Sequence, residues 1–121
     1  MRYACLVYFD PQNVFNQSPE AEAVLAGNTA YDAELKASGH YLTAEALQLP
    51  DSAITVRVRD GKMSATDGPF METKEVLGGF IMIEARDLNE AVRLAAGIPL
   101  AKLGSVEVRP VVDFSKPRPK L

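Results

Sequence analysis

Hydrophobic and polar residues follow a two-residue period in six stretches of the chain and a helical period in two. Residues 2–9 form the first predicted strand. Tyr3, Cys5, Val7 and Phe9 point to one side and Ala4, Leu6 and Tyr8 to the other. Both sides are apolar, which predicts a central strand covered on both faces. Residues 10–17, polar with a proline and two asparagines, read as a loop. Ser18-Pro19-Glu20 is a helix start, with a cap, a first-turn proline and an acid at the positive dipole end. That helix is expected to run to about Ser38 and stop at Gly39, with Ala21, Val24, Leu25, Tyr31 and Leu35 on one face. Gly27-Asn28-Thr29 weakens its middle, so a kink or a division into two helices is an open alternative.

Residues 41–48 form a weaker strand, broken by Pro50-Asp51-Ser52. Ile54, Val56 and Val58 alternate with Thr55, Arg57 and Arg59, the pattern of a half-buried strand. Asp60-Gly61 is a type I′ hairpin signal that returns the chain through residues 62–66. Residues 79–85 make another strand with two apolar faces. Asp87 or Asn89 caps a helix carrying Ala91, Leu94 and Ala95, which ends near Gly97 because Pro99 forbids continuation. In the last strand, residues 105–112, Val106, Val108 and Val112 lie on one face and Ser105, Glu107 and Arg109 on the other. The resulting order, β-α-β-(β-hairpin)-β-α-β, predicts a ferredoxin-like α+β domain with a mainly antiparallel sheet. Two helices cover only one face of such a sheet. A second subunit packed sheet to sheet would cover the other, making a two-fold homodimer; the alternative is a monomer whose long loops fold over the sheet.

The 121 residues fit one domain, residues 1–113, followed by a basic, proline-rich tail over 114–121. A net charge of −3 and a pI near 5.1 argue against nucleic acid as a partner. No apolar run reaches the roughly 18 residues of a spanning helix, so no membrane partner is expected. The apolar start runs at once into Asp10-Pro11 and reads as a strand, not a signal peptide. One cysteine, Cys5, excludes an intrachain disulfide and suits a reducing cytoplasm; amid apolar neighbours it reads as a small buried side chain.

Candidate chemistry concentrates in Asp67-Gly68-Pro69-Phe70-Met71-Glu72-Thr73-Lys74-Glu75, where turn formers, an aromatic and four charges, Asp67 included, crowd together. Asp67, Glu72 and Arg109 are the candidate catalytic residues. Lys74, Glu75, Glu107, Asn28 and His40 are the candidate ligand-binding residues. If Glu107 and Arg109 face away from the helices, they join the loop charges between two sheets, as a ligand site or as an internal ionic network. Arg109 could hold a carboxylate in a bidentate manner, and a buried carboxylate could act as a general base. His40, just past a helix end, suits contact with the terminal carbonyls, although its titration range also suits proton transfer. Asn28 falls on or near the apolar stripe, where a hydrogen bond to a neighbour is the plain explanation. The carboxylates match no calcium loop, and no phosphate-binding glycine loop or Ser-His-Asp set is visible, so no metal and no cofactor are expected.

Asp67-Gly68-Pro69-Phe70 with Glu72-Thr73-Lys74-Glu75, then Leu77-Gly78-Gly79-Phe80, resembles the signature of the DGPF branch of the YCII-related family. Gly104-Ser105-Val106-Glu107-Val108-Arg109-Pro110 is similar to that family's C-terminal motif. The resemblance spans residues 2–112 and implies a ferredoxin-like fold in a dimeric α/β barrel. Some members resemble small enzymes, including a dehydrochlorinase of chlorinated aromatic breakdown, and others sit beside alternative sigma factors. The smaller YCII branch has a helix histidine paired with an aspartate as a catalytic dyad. The first helix of this chain has no histidine, and Asn28 stands near the matching position. Two functions stay open: a small dimeric enzyme or ligand-binding protein for a compact anionic or aromatic molecule, and a non-catalytic regulatory or interaction dimer.

Overall fold

The computed structural model describes residues 1–117, so the Arg118–Leu121 part of the expected tail lies outside the described residues. The described residues form six strands and three α-helices: β1 (Arg2–Phe9), α1 (Pro11–Val14), α2 (Pro19–Ala37), β2 (Tyr41–Ala46), β3 (Ile54–Arg59), β4 (Lys62–Asp67), β5 (Val76–Glu84), α3 (Leu88–Ala96) and β6 (Gly104–Pro110). Four strands form an antiparallel sheet in the order β2-β5-β1-β6, and β3 and β4 pair only with each other. This mixed α+β arrangement is consistent with the ferredoxin-like fold expected from the sequence.

β1 lies between β5 and β6, the central place its two apolar faces demand. Tyr3, Cys5, Val7 and Phe9 are buried with Ile81 and Ile83 of β5, under Leu35 of α2 and Ala91 and Ala95 of α3. Ala4, Leu6 and Tyr8 look the other way and are only half-buried, together with Phe80 and Met82. The helices therefore cover one face and leave the second open, as their number required. Between Val7 and Tyr8 the register with β5 shifts, Val7 pairing with Gly79 and Tyr8 with Leu77, so Gly78 is the extra residue of a β-bulge.

α2 is continuous over 19 residues, without the kink left open at Gly27. A side chain at Gly27 would crowd Pro99, so glycine there lets the 3₁₀ turn Pro99–Lys102 approach the helix. Ser18 caps the start, accepting from Ala21 N at 3.1 Å. The end is a Schellman motif: Gly39 N–H donates to Lys36 O at 3.2 Å and His40 N–H to Leu35 O at 2.9 Å. Asp87, not Asn89, caps α3 by accepting from Glu90 N at 2.9 Å.

Two expectations are corrected. Residues 10–17 are not all loop: Asp10 accepts from Gln12 N at 3.0 Å and starts α1, which sinks Val14 into the core. The carboxylate cap, not an apolar period, makes that helix, and four residues are too short to show a period. The alternation in 54–58 does not mark a half-buried strand within the chain. Ile54, Val56 and Val58 are about 60% exposed (63, 61 and 59%), because the hairpin leaves the sheet instead of joining it.

Cys5 is fully buried, and burial pushes its thiol from 9.0 to about 11. A folded-state value above the unfolded one means that the stability of the neutral thiol is complete below pH 9 and is lost as pH rises through 11. Denaturant unfolding at pH 8 and pH 11 should therefore fall more steeply for wild type than for Cys5→Ala, by on the order of 2 kcal/mol. Equal losses in the two proteins would place the alkaline sensitivity elsewhere.

Candidate functional site

The Asp67–Glu75 loop begins at the base of the hairpin, at the end away from the Asp60-Gly61 turn. Asp67 is the last residue of β4, opposite Ile54. Gly68 then takes φ +97°, a region L side chains rarely adopt. Its N–H donates to Ala53 O at 2.7 Å and its carbonyl accepts from Thr55 Oγ1 at 2.8 Å, which ties the two legs of the hairpin together. Beyond it Phe70 and Met71 are exposed, at 74% and 58%. Thr73 Oγ1 donates to Glu75 O, and Glu75 Oε1 accepts from Ser105 Oγ at 3.2 Å. The loop is thus pinned to β6 by Glu75, and Glu72 and Lys74 are exposed.

Glu107 and Arg109 do lie on the open face, beside Leu6 and Ala4. They pair with each other, Arg109 Nε donating to Glu107 Oε2, in an exposed ion pair. Ser105, where the loop touches β6, faces Tyr8, whereas Arg109 faces Ala4. Four residues of strand separate them, about 13 Å. Within one chain, then, Glu75 meets β6, and Asp67 and Glu72 are not joined to Arg109. His40 is held structurally: its backbone N–H closes α2, and its Nδ1–H donates to Glu84 O at 2.7 Å, reaching a strand carbonyl and not the helix end. Among the described residues no group of three or more metal-ligating side chains occurs, and no helix is long and apolar enough to cross a membrane.

Two concavities flank these elements. A cleft of about 740 Å³ runs along the loop between Tyr8, Leu47, Phe70 and Leu77, with Asp51, Glu72 and Glu75 as its charged groups. On the helix side of the sheet, a cavity of about 180 Å³ lies between α2, β2, β5 and the Pro99 turn. Val7, Ala44, Ile81 and Ile98 give it an apolar floor, and Asn28, Tyr31 and Asp32 project from one stretch of α2 onto it. Tyr31 lies against Gly97, where a side chain would collide with its hydroxyl, and donates to Leu94 O at 2.5 Å. Burial, with help from the Glu34 charge, raises its phenol above the ordinary value, so it stays a donor.

Asn28 and Asp32 differ from Tyr31. Among the described residues neither side chain has a hydrogen bond or an ion pair. The neighbour expected to satisfy Asn28 is absent, and Asn28 instead faces the cavity. Asp32 was missed by sequence reasoning. The signal was its i, i+4 spacing from Asn28, which puts two polar groups on the edge of an otherwise apolar stripe.

Residues 1–115 match the model of the YCII-related domain. An uncharacterised protein of Rhizobium meliloti (strain 1021) is 35% identical over 117 residues, which are 94% of each chain. Among solved structures, the chain is similar to 5-chloro-2-hydroxyhydroquinone dehydrochlorinase from Burkholderia phenoliruptrix AC1100, in complex with 2,5-dihydroxybenzoquinone. That likeness has a TM-score of 0.55 at 17% identity, over 93% of this chain and 94% of the other, and it speaks for the fold.

The positive φ of Gly68 sets a test of the loop. Gly68→Val should lower stability by about 1–3 kcal/mol in denaturant titration, the cost of a special backbone site, while Lys74→Ala on the exposed loop should stay within about 0.5 kcal/mol. Equal, negligible losses would mean that the turn is not constrained.

Proposed function

The chain belongs to the YCII-related domain family, and we propose that it is a small homodimeric enzyme or ligand-binding protein of the DGPF branch that takes a compact, single-ring aromatic molecule. One observation carries this reading: a cavity of about 180 Å³ with an apolar floor and two unpaired polar side chains, Asn28 and Asp32, on one wall. A cavity of about 150 Å³ holds one benzene ring. The two polar groups supply what a bare ring does not need and a ring hydroxyl does: a carboxylate to accept its proton and an amide to orient it. Asp32 is then the candidate general base and Asn28 the orienting group, with Tyr31 a fixed wall. The dehydrochlorinase of similar fold was solved with a hydroxylated six-membered ring, a molecule of the size this cavity fits.

A second reading puts the ligand at the Asp67–Glu75 loop, and the cleft of about 740 Å³ favours it. The charged groups lining that cleft are Asp51, Glu72 and Glu75, without Lys or Arg, so it suits a neutral or cationic molecule and repels an anion. The homodimer, with the two open sheet faces closing a barrel, is supported by the half-buried apolar residues of β1 and β5 on that side.

Thermal unfolding with mono- and dihydroxylated benzenes tests the cavity. A ligand at 100 times its Kd should stabilise wild type by about 2.7 kcal/mol. Asp32→Ala should keep the unliganded melting point, since Asp32 has no partner to lose, and should remove the shift. Ala44→Phe, which fills the cavity, should remove it as well. If wild type is not shifted by any of these compounds, or if both variants are shifted equally with it, the single-ring reading fails.

A further inference from the structure

We propose that the β3–β4 hairpin is an arm whose apolar face packs on a second copy of this chain, an inference that rests on the homodimer reading above. The hairpin is a two-stranded sheet of its own. Its register puts Val56 opposite Ala65 and Val58 opposite Met63, so Ile54, Val56, Val58 and Met63 share one face, with Asp67 opposite Ile54 at its base. All four are exposed, Met63 at 68% and Val58, the least, at 59%. The opposite face carries Thr55, Arg57, Arg59 and Lys62, the composition of a surface meant for water. A hairpin with one apolar and one charged face, projecting alone, is marginal in water unless the apolar face is covered. Contiguous apolar patches larger than a few hundred Å² mark interaction sites.

The base of this arm is nevertheless fixed. The hydrogen bonds of Gly68 to Ala53 and Thr55 close its two legs, and β5 follows within eight residues of Gly68. The arm is aimed, not loose, which gives the Asp67–Gly68 turn a positioning role.

Area and reach select a second copy as the occupant. A stable two-chain interface needs roughly 800 Å² from each partner. The open sheet face offers Ala4, Leu6, Tyr8, Phe80 and Met82, all already half-buried by their neighbours, and at about 200 Å² or less per side chain they expose only a few hundred Å². The four arm residues, each about 60% or more exposed, add a comparable area. Strands of six residues reach about 20 Å, the width of a four-stranded sheet. Two chains related by a two-fold axis can therefore each cover the other's arm, leaving neither apolar face in water, whereas an unrelated partner would have to be supplied for every copy.

The test is sedimentation over a range of concentrations for wild type, Val56→Glu on the apolar face and Arg57→Glu on the charged face. Wild type should sediment at about twice 13.1 kDa. Val56→Glu should weaken the dimer on the order of tenfold or more, with an unchanged circular dichroism spectrum, and Arg57→Glu should change it little. In case Val56→Glu does not fold, a photo-crosslinker at Val58 in the otherwise unchanged chain gives a second readout: covalent dimers are expected. A dimer as tight in folded Val56→Glu as in wild type, or crosslinks confined to single chains, overturns the arm and leaves the barrel dimer standing. A wild type that stays monomeric at every concentration overturns both. Neither result bears on the ring-binding cavity, which the thermal-shift series reads separately.

Discussion

The apolar character of β1 on both of its sides is the constraint from which the rest follows. A strand that reads Tyr-Ala-Cys-Leu-Val-Tyr-Phe belongs at the centre of a sheet and not at its edge. β5 and β6 flank it, and α2 and α3 roof one side, with Cys5 and Tyr3 at the centre of that contact. Two helices exhaust what the chain can place there. The opposite side chains, Leu6, Tyr8, Phe80 and Met82, are left half-buried. The asymmetry positions both concavities: a cavity arises where α2 stands off β2 and β5, and a cleft where the Asp67–Glu75 loop rises at one end of the open face.

The fold was legible wherever one element settles its own boundaries. Ser18-Pro19 and Gly39 marked both ends of α2, and Asp60-Gly61 marked the hairpin, where both residues have positive φ. It was illegible where the partner is not local. The alternation of Ile54, Val56 and Val58 states that one side of β3 avoids water, but not what covers it. α1 escaped because its reason is a single carboxylate, Asp10, and not a repeat.

The candidate site was less legible, for a related reason. Charge density drew attention to Asp67–Glu75 and to Glu107 and Arg109, and surface chains hold many such residues. Much of that charge is spent on position: Glu75 on Ser105, and Arg109 on Glu107. Asn28 and Asp32, which have no side-chain partner among the described residues and line the cavity, stand instead on a helix that reads as core. Asn28 was conspicuous for being out of place among apolar residues. Asp32, one turn later, needed the helix to be drawn before its alignment with Asn28 could be seen.

The bulge at Gly78 has a consequence for chain length. Because β5 spends one residue there, Leu77 sits beside Tyr8 on the open face, and Val76 sits beside Phe9 on the helix side. The phase of everything before it, including the reach of Glu75 to Ser105, is counted from that residue. Substitutions between Phe70 and Lys74 leave the count intact. A one-residue insertion or deletion anywhere between Glu75 and Gly79 would turn the strand's start inside out while barely altering composition. In this segment the count of residues, and not only their identity, decides which side chains face the core, as the pitch of a thread decides whether it engages.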